Sequence, residues 1–257
     1  MADSNASGDA RAAVPWPREP ALWGLAMLGV LTLAMPGLAP GFAAAFPQLE
    51  RPMYEHDSFA ALLAWHVGLV ALSSVAAAAA GIAAGVFVTR EAGREFRGAV
   101  ETVVAIGQTV PPVAVLALAV PLLGFGVAPV LIALFLYGLL PILRGTLSGL
   151  ESVPAEVREA SAGLGLNAWQ RLAQAELPLA LPGVLAGVRS SVAINIGTAT
   201  VAATVGVRSL GSPIIVGLAG FNTAYVVQGA VLVALLAVGV DGLFARAAQR
   251  VAGRVGA

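Results

Sequence analysis

Long apolar runs separated by short polar stretches dominate this chain. Most of the runs approach the length of about 20 residues with which a helix crosses about 30 Å of hydrocarbon. A helix also satisfies all of its backbone hydrogen bonds within the bilayer. The pattern therefore predicts an all-α, polytopic membrane protein with about six spans. The predicted spans are residues 21–35 (extending to 39 at most), 58–88, 100–123, 127–143, 183–205 and 224–244.

Composition supports the same class of protein. Of the 257 residues, 58% are hydrophobic and only 11% are charged, whereas soluble domains carry about 25% charged residues. The chain has no cysteine, which excludes disulfides and thiolate metal sites. The formal net charge is zero, so nothing in it favours a nucleic-acid partner.

The arginines predict which side of the membrane each loop occupies. Six spans place both termini on one side, together with most of the arginines, while Arg51 and Arg208 fall on the other side. Because cytoplasmic loops are enriched in Lys and Arg, the side of the termini is predicted to be cytoplasmic. The predicted cytoplasmic set is Arg11, Arg18, Arg90, Arg94, Arg97, Arg144, Arg158, Arg171, Arg246, Arg250 and Arg254, with Arg189 near the same edge.

The predicted organisation has four parts. These are a flexible cytoplasmic tail (1–19), a first span with an extracytoplasmic loop (20–57), a core of five spans (58–247) that includes a cytoplasmic loop at 150–180, and a cytoplasmic C-terminal tail (248–257). Removal of the first span as a signal peptide, after the alanines at 43–45, is the alternative and would leave an odd number of spans.

Small and polar residues within the spans leave two pairs of alternatives open. Gly81 with Gly85, and Gly183 with Gly187, form small-residue faces, which suit either packing inside one subunit or a dimer seam. The stripe in the fifth span, Ser191, Asn195 and Thr198, lies on one helix face. This stripe either lines a translocation path or makes hydrogen bonds between helices.

The remaining polar side chains do not form a catalytic or metal-binding pattern. Glu101, Arg189 and Asp241 lie close to cytoplasmic span ends and are interpreted as anchors rather than an ion relay. His56 and His66 lack the spaced partners of a metal site. Because no nucleophile–base pair or phosphate-binding loop is present, we expect a protein that is not itself an enzyme.

The loop between the fourth and fifth spans is the most polar segment between two spans. Pro154 suits the first turn of a short helix, and the glycines Gly163 and Gly165 permit a sharp exit. Asn167 and Gln170 have the spacing of a capping box for a second helix, which we expect to end before Pro178. These features predict a helix–turn–helix at the membrane face, although an ordinary amphipathic connection would share them.

A family resemblance enters at these residues. Glu159-Ala160-Ser161, then Gly165, then Leu177-Pro178 resembles the EAA loop of binding-protein-dependent ABC transporter permeases, with every spacing kept. Two positions depart from the family pattern: Ser161 replaces the third motif residue, alanine, and Ala175 replaces a branched apolar residue. The resemblance implies that Glu159, Ala160, Ser161, Gly165, Leu177 and Pro178 form a coupling helix region that contacts a cytosolic ATPase.

A narrower resemblance covers about residues 107–242 and concerns the osmoprotectant permeases. It rests on Gln108-Thr-Val-Pro111, Pro121-Leu-Leu-Gly-Phe-Gly126, residues 132–144 and Glu176-Leu-Pro-Leu-Ala180. The family's glycine-rich segment after the fifth span is replaced here by Gly206-Val-Arg-Ser-Leu-Gly211, which stiffens and charges that outer loop.

The two resemblances together imply a function and a set of partners. The chain is expected to be the permease subunit of a bacterial inner-membrane importer for glycine betaine, choline or carnitine. The implied partners are a cytosolic ATPase dimer that supplies ATP hydrolysis, a second permease subunit (identical or a sister), an extracytoplasmic solute-binding protein and membrane lipid. The rival functions are an ABC permease for an amino acid or another small solute, and a secondary transporter. The latter would carry ionisable residues at the bilayer midplane or inverted repeats.

Overall fold

The computed structural model describes residues 20–255, and this part of the chain is helical without a β-strand. The α-helices are α1 (Pro20–Ala34), α2 (Ala39–Ala45), α3 (Phe59–Thr89), α4 (Arg97–Thr109), α5 (Pro112–Leu123), α6 (Val127–Glu151), α7 (Ala155–Gly163), α8 (Ala168–Arg171), α9 (Leu177–Thr198), α10 (Gly211–Ala219) and α11 (Thr223–Val255). The predicted tail at 1–19 lies outside the described residues.

Five helical stretches are long and apolar enough to cross a membrane. They are Leu22–Ala45, Phe59–Thr89, Val127–Glu151, Ala168–Val205 and Thr223–Val251. Each contains one of the predicted spans or most of it, and the prediction of an all-α, multi-span protein is confirmed. The boundaries shift by several residues, most clearly in α11, which continues as helix to Val255 where only a tail was predicted.

The predicted third span at 100–123 is not one straight helix. In its place α4 and α5 meet at an angle of 92°. Pro111 and Pro112 cause the break, because proline lacks an N–H donor and pushes the residue before it out of the helical region. Val110 is accordingly extended, with φ −76° and ψ 122°. Its carbonyl oxygen accepts a hydrogen bond from Tyr137 Oη at 2.5 Å, which satisfies the broken backbone.

The bent pair still makes one passage through the bundle. Arg97, at the start of α4, forms an ion pair with Glu151 at the end of α6. Since α6 is about 37 Å long at 1.5 Å per residue and begins at Val127, just after α5, the path through α4 and α5 must return over the same height. With the bent pair counted as one span, the number of spans is six.

Helices α6 and α9 pack with their backbones in direct contact. A Cβ atom built on Gly145 would lie 2.6 Å from the carbonyl oxygen of Gly183, and one built on Gly187 would lie 2.6 Å from that of Pro141. A Cβ on Gly149 would meet the carbonyl oxygen of Ala180 at 2.5 Å. Close glycine packing of this kind is the main source of attraction between helices in lipid, so α6 and α9 form a closely fitted pair.

Helix α3 packs on the other side of α6 through its own glycines. A Cβ on Gly81 would approach Ile142 Cγ2 to 2.9 Å, and one on Gly85 would approach Thr146 Cγ2 to 2.7 Å. Both predicted small-residue faces are therefore filled inside the subunit, which is the first of the two alternatives. Helix α1 lies along α11, where a Cβ on Gly239 would meet Leu25.

Two further elements differ from the sequence prediction. The second loop helix does not end before Pro178: a π-helical segment, Leu172–Glu176, leads directly into α9, and Pro178 sits in the first turn of α9. The widened turn shifts the hydrogen bond of Leu177 N to Leu172 O, so that helical structure continues up to the proline. Helix α10 was not predicted, because its nine residues are too few for a span.

The arginines separate between the two ends of the bundle. Arg90, Arg94, Arg97 and Arg158 line one recess of about 190 Å³ where α3 and α6 end. At the opposite end, Arg208 Nε lies 3.0 Å from Asp57 Oδ1. Ser209, the other departure in the outer loop, is buried and accepts a hydrogen bond from Gly211 N at 3.0 Å.

That outer end is held together by the loop before α3. Asn222 Nδ2 donates to the Arg51 carbonyl at 2.9 Å, and Gln228 Nε2 donates to the Pro52 carbonyl at 2.7 Å. Gln228 Oε1 accepts from Tyr54 N at 3.1 Å. Burial raises the pKa of the Tyr54 phenol to about 12, and the nearby Asp57 carboxylate adds to this rise. The loop between α2 and α3 is thus fastened to the start of α11.

Candidate coupling loop

The polar loop forms a compact knob between α6 and α9. Helix α7 follows α6 after the short link 152–154, and α8 with the π segment returns the chain to α9. Because α6 and α9 pack backbone to backbone, the two ends of the knob are held by a single pair of helices. A force on the knob is therefore applied directly to the centre of the bundle.

Gly165 forms the turn that ends α7. Its φ is +78°, a conformation that only residues such as glycine adopt readily. Leu166 N donates to Ser161 O at 3.3 Å and Gly165 N donates to Ala162 O at 2.9 Å, which together make the two bonds of a Schellman motif. A Cβ at position 165 would meet nothing within 4 Å, so within this subunit the turn, rather than close packing, requires glycine.

The predicted capping box is present at the start of α8. Gln170 N donates to Asn167 Oδ1 at 2.9 Å, and Asn167 N donates to Gln170 Oε1, also at 2.9 Å. These reciprocal bonds satisfy backbone donors that the first turn of a helix would otherwise leave unpaired. They fix the direction of the short helix relative to the Gly165 turn.

The motif residues divide between an exposed and an inner face. Glu159, Ala160 and Gly165 are exposed, as is Pro178, while Leu177 is half-buried. Ser161, one of the departures from the family pattern, is buried, and its hydroxyl donates to the Arg158 carbonyl at 2.9 Å. The extra hydroxyl is therefore accommodated by a local hydrogen bond.

Sequence reasoning missed two apolar residues on the exposed face. Leu164 is 80% exposed and Trp169 is 74% exposed. They flank the Gly165 turn in an otherwise polar loop, and that contrast was the available indication. Exposed apolar side chains of this size, tryptophan above all, are typical of protein–protein contacts.

The base of the knob is fixed by a small apolar cluster and two arginines. Leu150, Val153, Leu172 and Ala180 are buried together. Arg158 Nη2 donates to the Leu150 carbonyl at the end of α6, where a cation also suits the helix dipole. Separately, an ion pair links Arg90, just after α3, to Glu176 at the end of the π segment.

The polar stripe of the fifth span has a mixed environment. Ser191 and Asn195 are fully buried within the subunit, and Thr198 is half-buried. Asn195 Nδ2 donates to Ser73 Oγ at 3.3 Å and to Ser74 Oγ at 3.1 Å on α3. For Asn195 this is the interhelical hydrogen bonding that the sequence left open as an alternative.

The three charges near the span ends all have ionic partners. Arg189 forms two hydrogen bonds with Asp241, Nε to Oδ1 at 2.5 Å and Nη2 to Oδ2 at 2.6 Å. Glu101 accepts from Arg97 Nε at 2.7 Å. The pairing of Arg189 with Asp241 links α9 to α11 and was not evident from the sequence, because the two residues are 52 positions apart.

These features define a class of protein: a helical membrane bundle whose central helix pair carries a structured polar knob between two spans. Comparison with known proteins identifies the family. The family described as "Binding-protein-dependent transport system inner membrane component" matches residues 81–253. The chain belongs to this family and is therefore a transport subunit, a permease.

Relatives of known role resemble most of the chain. The "Osmoprotectant import permease protein OsmY" of Salmonella typhimurium is 43% identical over 180 residues, which cover 70% of this chain and 76% of the relative. The "Glycine betaine/carnitine/choline transport system permease protein OpuCB" of Bacillus subtilis is 41% identical over 154 residues, with 60% and 71% covered. The "Choline transport system permease protein OpuBB" of the same organism is 36% identical over 185 residues, with 72% and 84% covered.

A solved structure confirms the fold. An inward-facing form of the MetNI methionine ABC transporter aligns with a TM-score of 0.66 at 21% identity, covering 77% of this chain and 99% of that one. The predicted architecture of an ABC importer permease is thereby confirmed. At this identity, the likeness concerns the fold alone.

Proposed function

We propose that this chain imports a quaternary ammonium compound or a related compatible solute, as the permease of an ATP-driven transporter. The names of the relatives, which share 36–43% identity, support this solute class. The transporter would contain a cytosolic ATPase dimer, a second permease subunit and an extracytoplasmic binding protein. The permease binds no cofactor itself, and ATP acts through the ATPase.

The knob between α6 and α9 is the observation that carries the proposal. Its exposed face combines Glu159, Ala160 and Gly165 with the apolar Leu164 and Trp169. A rigid knob with an apolar, aromatic surface is suited to a groove on another protein. Since the knob is continuous with the helix pair α6–α9, docking of the ATPase there would move the transport helices directly.

The arginines at the knob end of the bundle support the orientation that we propose. The knob and the recess formed by Arg90, Arg94, Arg97 and Arg158 lie at one end of the bundle, and the positive-inside rule makes that end cytoplasmic. The protein would then lie in the inner membrane of a bacterium, with both termini in the cytoplasm.

The stripe on α9 remains our candidate for the translocation path. Thr198 is its most accessible member, because Ser191 and Asn195 are enclosed by α3 and α6. We therefore propose that the solute path runs along the face of α9 that points away from α3 and α6, where a second permease subunit would complete it. Ser191 and Asn195 would then support this face from inside the subunit.

A ligand screen on the binding protein of the same transporter tests the solute class. We expect glycine betaine, choline or carnitine to bind with micromolar or better affinity in isothermal titration calorimetry. Aromatic side chains recognise such cations by cation–π attraction. Binding of amino acids in place of all three compounds would overturn the solute class while leaving the role as a permease intact.

A further inference from the structure

The ion pair between Arg90 and Glu176 joins two parts of the molecule that are distant in sequence. Arg90 follows the last residue of α3, and Glu176 is the last residue of the π segment at the base of the knob. Arg90 Nη2 donates to Glu176 Oε2 at 2.6 Å, with side-chain exposures of 28% and 6%. The Glu176 side chain is therefore nearly buried, whereas the Arg90 side chain keeps part of its contact with solvent.

A buried ion pair of this kind is a poor source of stability. The cost of removing two charges from water offsets most of their attraction, and apolar residues of similar size often serve the fold as well. In some proteins such a pair instead sets the relative position of the two elements that carry it. Glu176 ends the π segment that begins at Leu172, and Leu172 is buried in the apolar cluster with Leu150, so the position of Glu176 follows that of the knob.

The π segment places Glu176 at a sensitive point. A π turn is an uncommon element that recurs at functional sites. Here it connects the short helix α8 directly to α9. A rotation of α8 caused by a docked partner would therefore shift Glu176 before it shifts the body of α9.

Arg90 is equally well connected on the other side. The segment after it, Glu91–Phe96, is a 3₁₀ helix, and Gly93 lies so close to the Phe87 carbonyl that a Cβ could not be accommodated. The segment therefore moves with the end of α3 and continues straight into α4. Of α4 itself, one residue, Val104, is buried, and the Arg97–Glu151 ion pair ties its start to α6. A shift of this segment would therefore be passed on to the bent arm α4–α5.

We propose that the Arg90–Glu176 pair transmits movement of the coupling loop to α3 and to the bent arm α4–α5. Both are positioning residues for transport. The inference rests on the proposed function, because it needs an ATPase that moves the loop. Movement of the coupling loop would then reach the spans in two ways, directly through α6 and α9 and also through this one pair of side chains.

Replacement of both residues by methionine tests the proposal. The double variant Arg90→Met with Glu176→Met leaves no unpaired buried charge, keeps side-chain bulk and removes the ionic link. The matched control is Glu91→Gln, which removes one negative charge from the exposed neighbour of Arg90. Each protein is reconstituted with its ATPase and binding protein, and imported solute is counted against ATP hydrolysed.

The expected result is loss of coupling without loss of assembly. The double variant should assemble, melt close to the wild-type temperature and hydrolyse ATP. The amount of solute imported per ATP hydrolysed should fall at least about five-fold, as for loss of a site-to-site coupling. Glu91→Gln should match the wild type. An unchanged ratio in the double variant, or its failure to assemble, would overturn the proposal. Absence of import by the wild-type complex would contradict the proposed function instead.

Discussion

Alanine at position 165 should weaken the attachment of the ATPase by straining the turn of the coupling loop. The φ of +78° costs an L-residue about 1–2 kcal/mol. A Cβ there would meet nothing within 4 Å, so the whole cost within the subunit is conformational. Because 1–2 kcal/mol corresponds to a factor of about 5–30, Gly165→Ala should raise the Kd for the ATPase by up to that factor.

Two further variants separate the strain from direct contact with the partner. Gly163→Ala is the matched control, because Gly163 is helical, has no positive φ and has nothing within 4 Å of its Cβ position. Gly165→Asn keeps the turn, since asparagine tolerates the left-handed conformation, but adds a side chain on the exposed surface. Weak binding by Gly165→Asn would show that the ATPase approaches the backbone closely at this position.

The assay is a titration of labelled ATPase against the detergent-solubilised permease, with solute uptake and membrane insertion measured in parallel. We expect insertion of every variant and weakened binding with Gly165→Ala but not with Gly163→Ala. A bulky side chain, as in Gly165→Leu, should abolish uptake and ATPase association. Equal affinities and normal uptake for Gly165→Leu and the wild type would refute the assignment of this loop as the coupling site.

Three other predictions concern single side chains. Trp169→Ala should cost about 2 kcal/mol of ATPase binding, as a docked tryptophan does, without lowering the melting temperature; unaltered binding would remove Trp169 from the interface. Gly187→Val should destabilise the permease by about 1–3 kcal/mol in a denaturant melt, because a Cβ there would lie 2.6 Å from the Pro141 carbonyl; an unchanged melt would contradict the packing. Because the chain has no cysteine, single cysteines at Leu164 and Phe221 can be labelled with an impermeant maleimide. We expect labelling of Phe221→Cys from the extracytoplasmic side only and of Leu164→Cys from the cytoplasmic side only, and the reverse pattern would invert the proposed orientation.

Local features of the site could be predicted from the sequence because their partners are close along the chain. The capping box of Asn167 and Gln170 spans three residues, and the turn at Gly165 depends on one φ angle. Both were identified and both are present. The length of the apolar runs likewise predicted five of the spans, since crossing the bilayer depends on length and composition.

Features that depend on the path of the backbone were harder to predict. The prediction of a span at 100–123 depends on mean hydropathy, which does not detect a bend such as the one at Pro111 and Pro112. Pro178 was expected to end a helix. The π segment before it instead keeps the chain helical up to the proline, with a hydrogen bond from Leu177 N to Leu172 O. Proline reveals that the regular pattern is interrupted, and tertiary packing decides whether the chain turns, bends or widens.

Contacts between distant residues carried no indication in the sequence. Arg90 and Glu176 are 86 positions apart, and Arg189 and Asp241 are 52 apart. The charges of Arg90, Arg189 and Asp241 were predicted near the cytoplasmic edge, but only the packing of α3, α6, α9 and α11 brings each pair together. The solute is less accessible still, because nothing in the fold of a permease specifies what its binding protein delivers.

ATP-dependent uptake is the most direct test of the central claim. Proteoliposomes containing the permease, its ATPase and its binding protein should accumulate labelled glycine betaine, choline or carnitine when ATP is enclosed on the cytoplasmic side. Accumulation should cease without ATP and should be reduced by the other two compounds but not by amino acids. Accumulation that needs an ion gradient and no ATP, or no accumulation of any of the three solutes, would contradict the account.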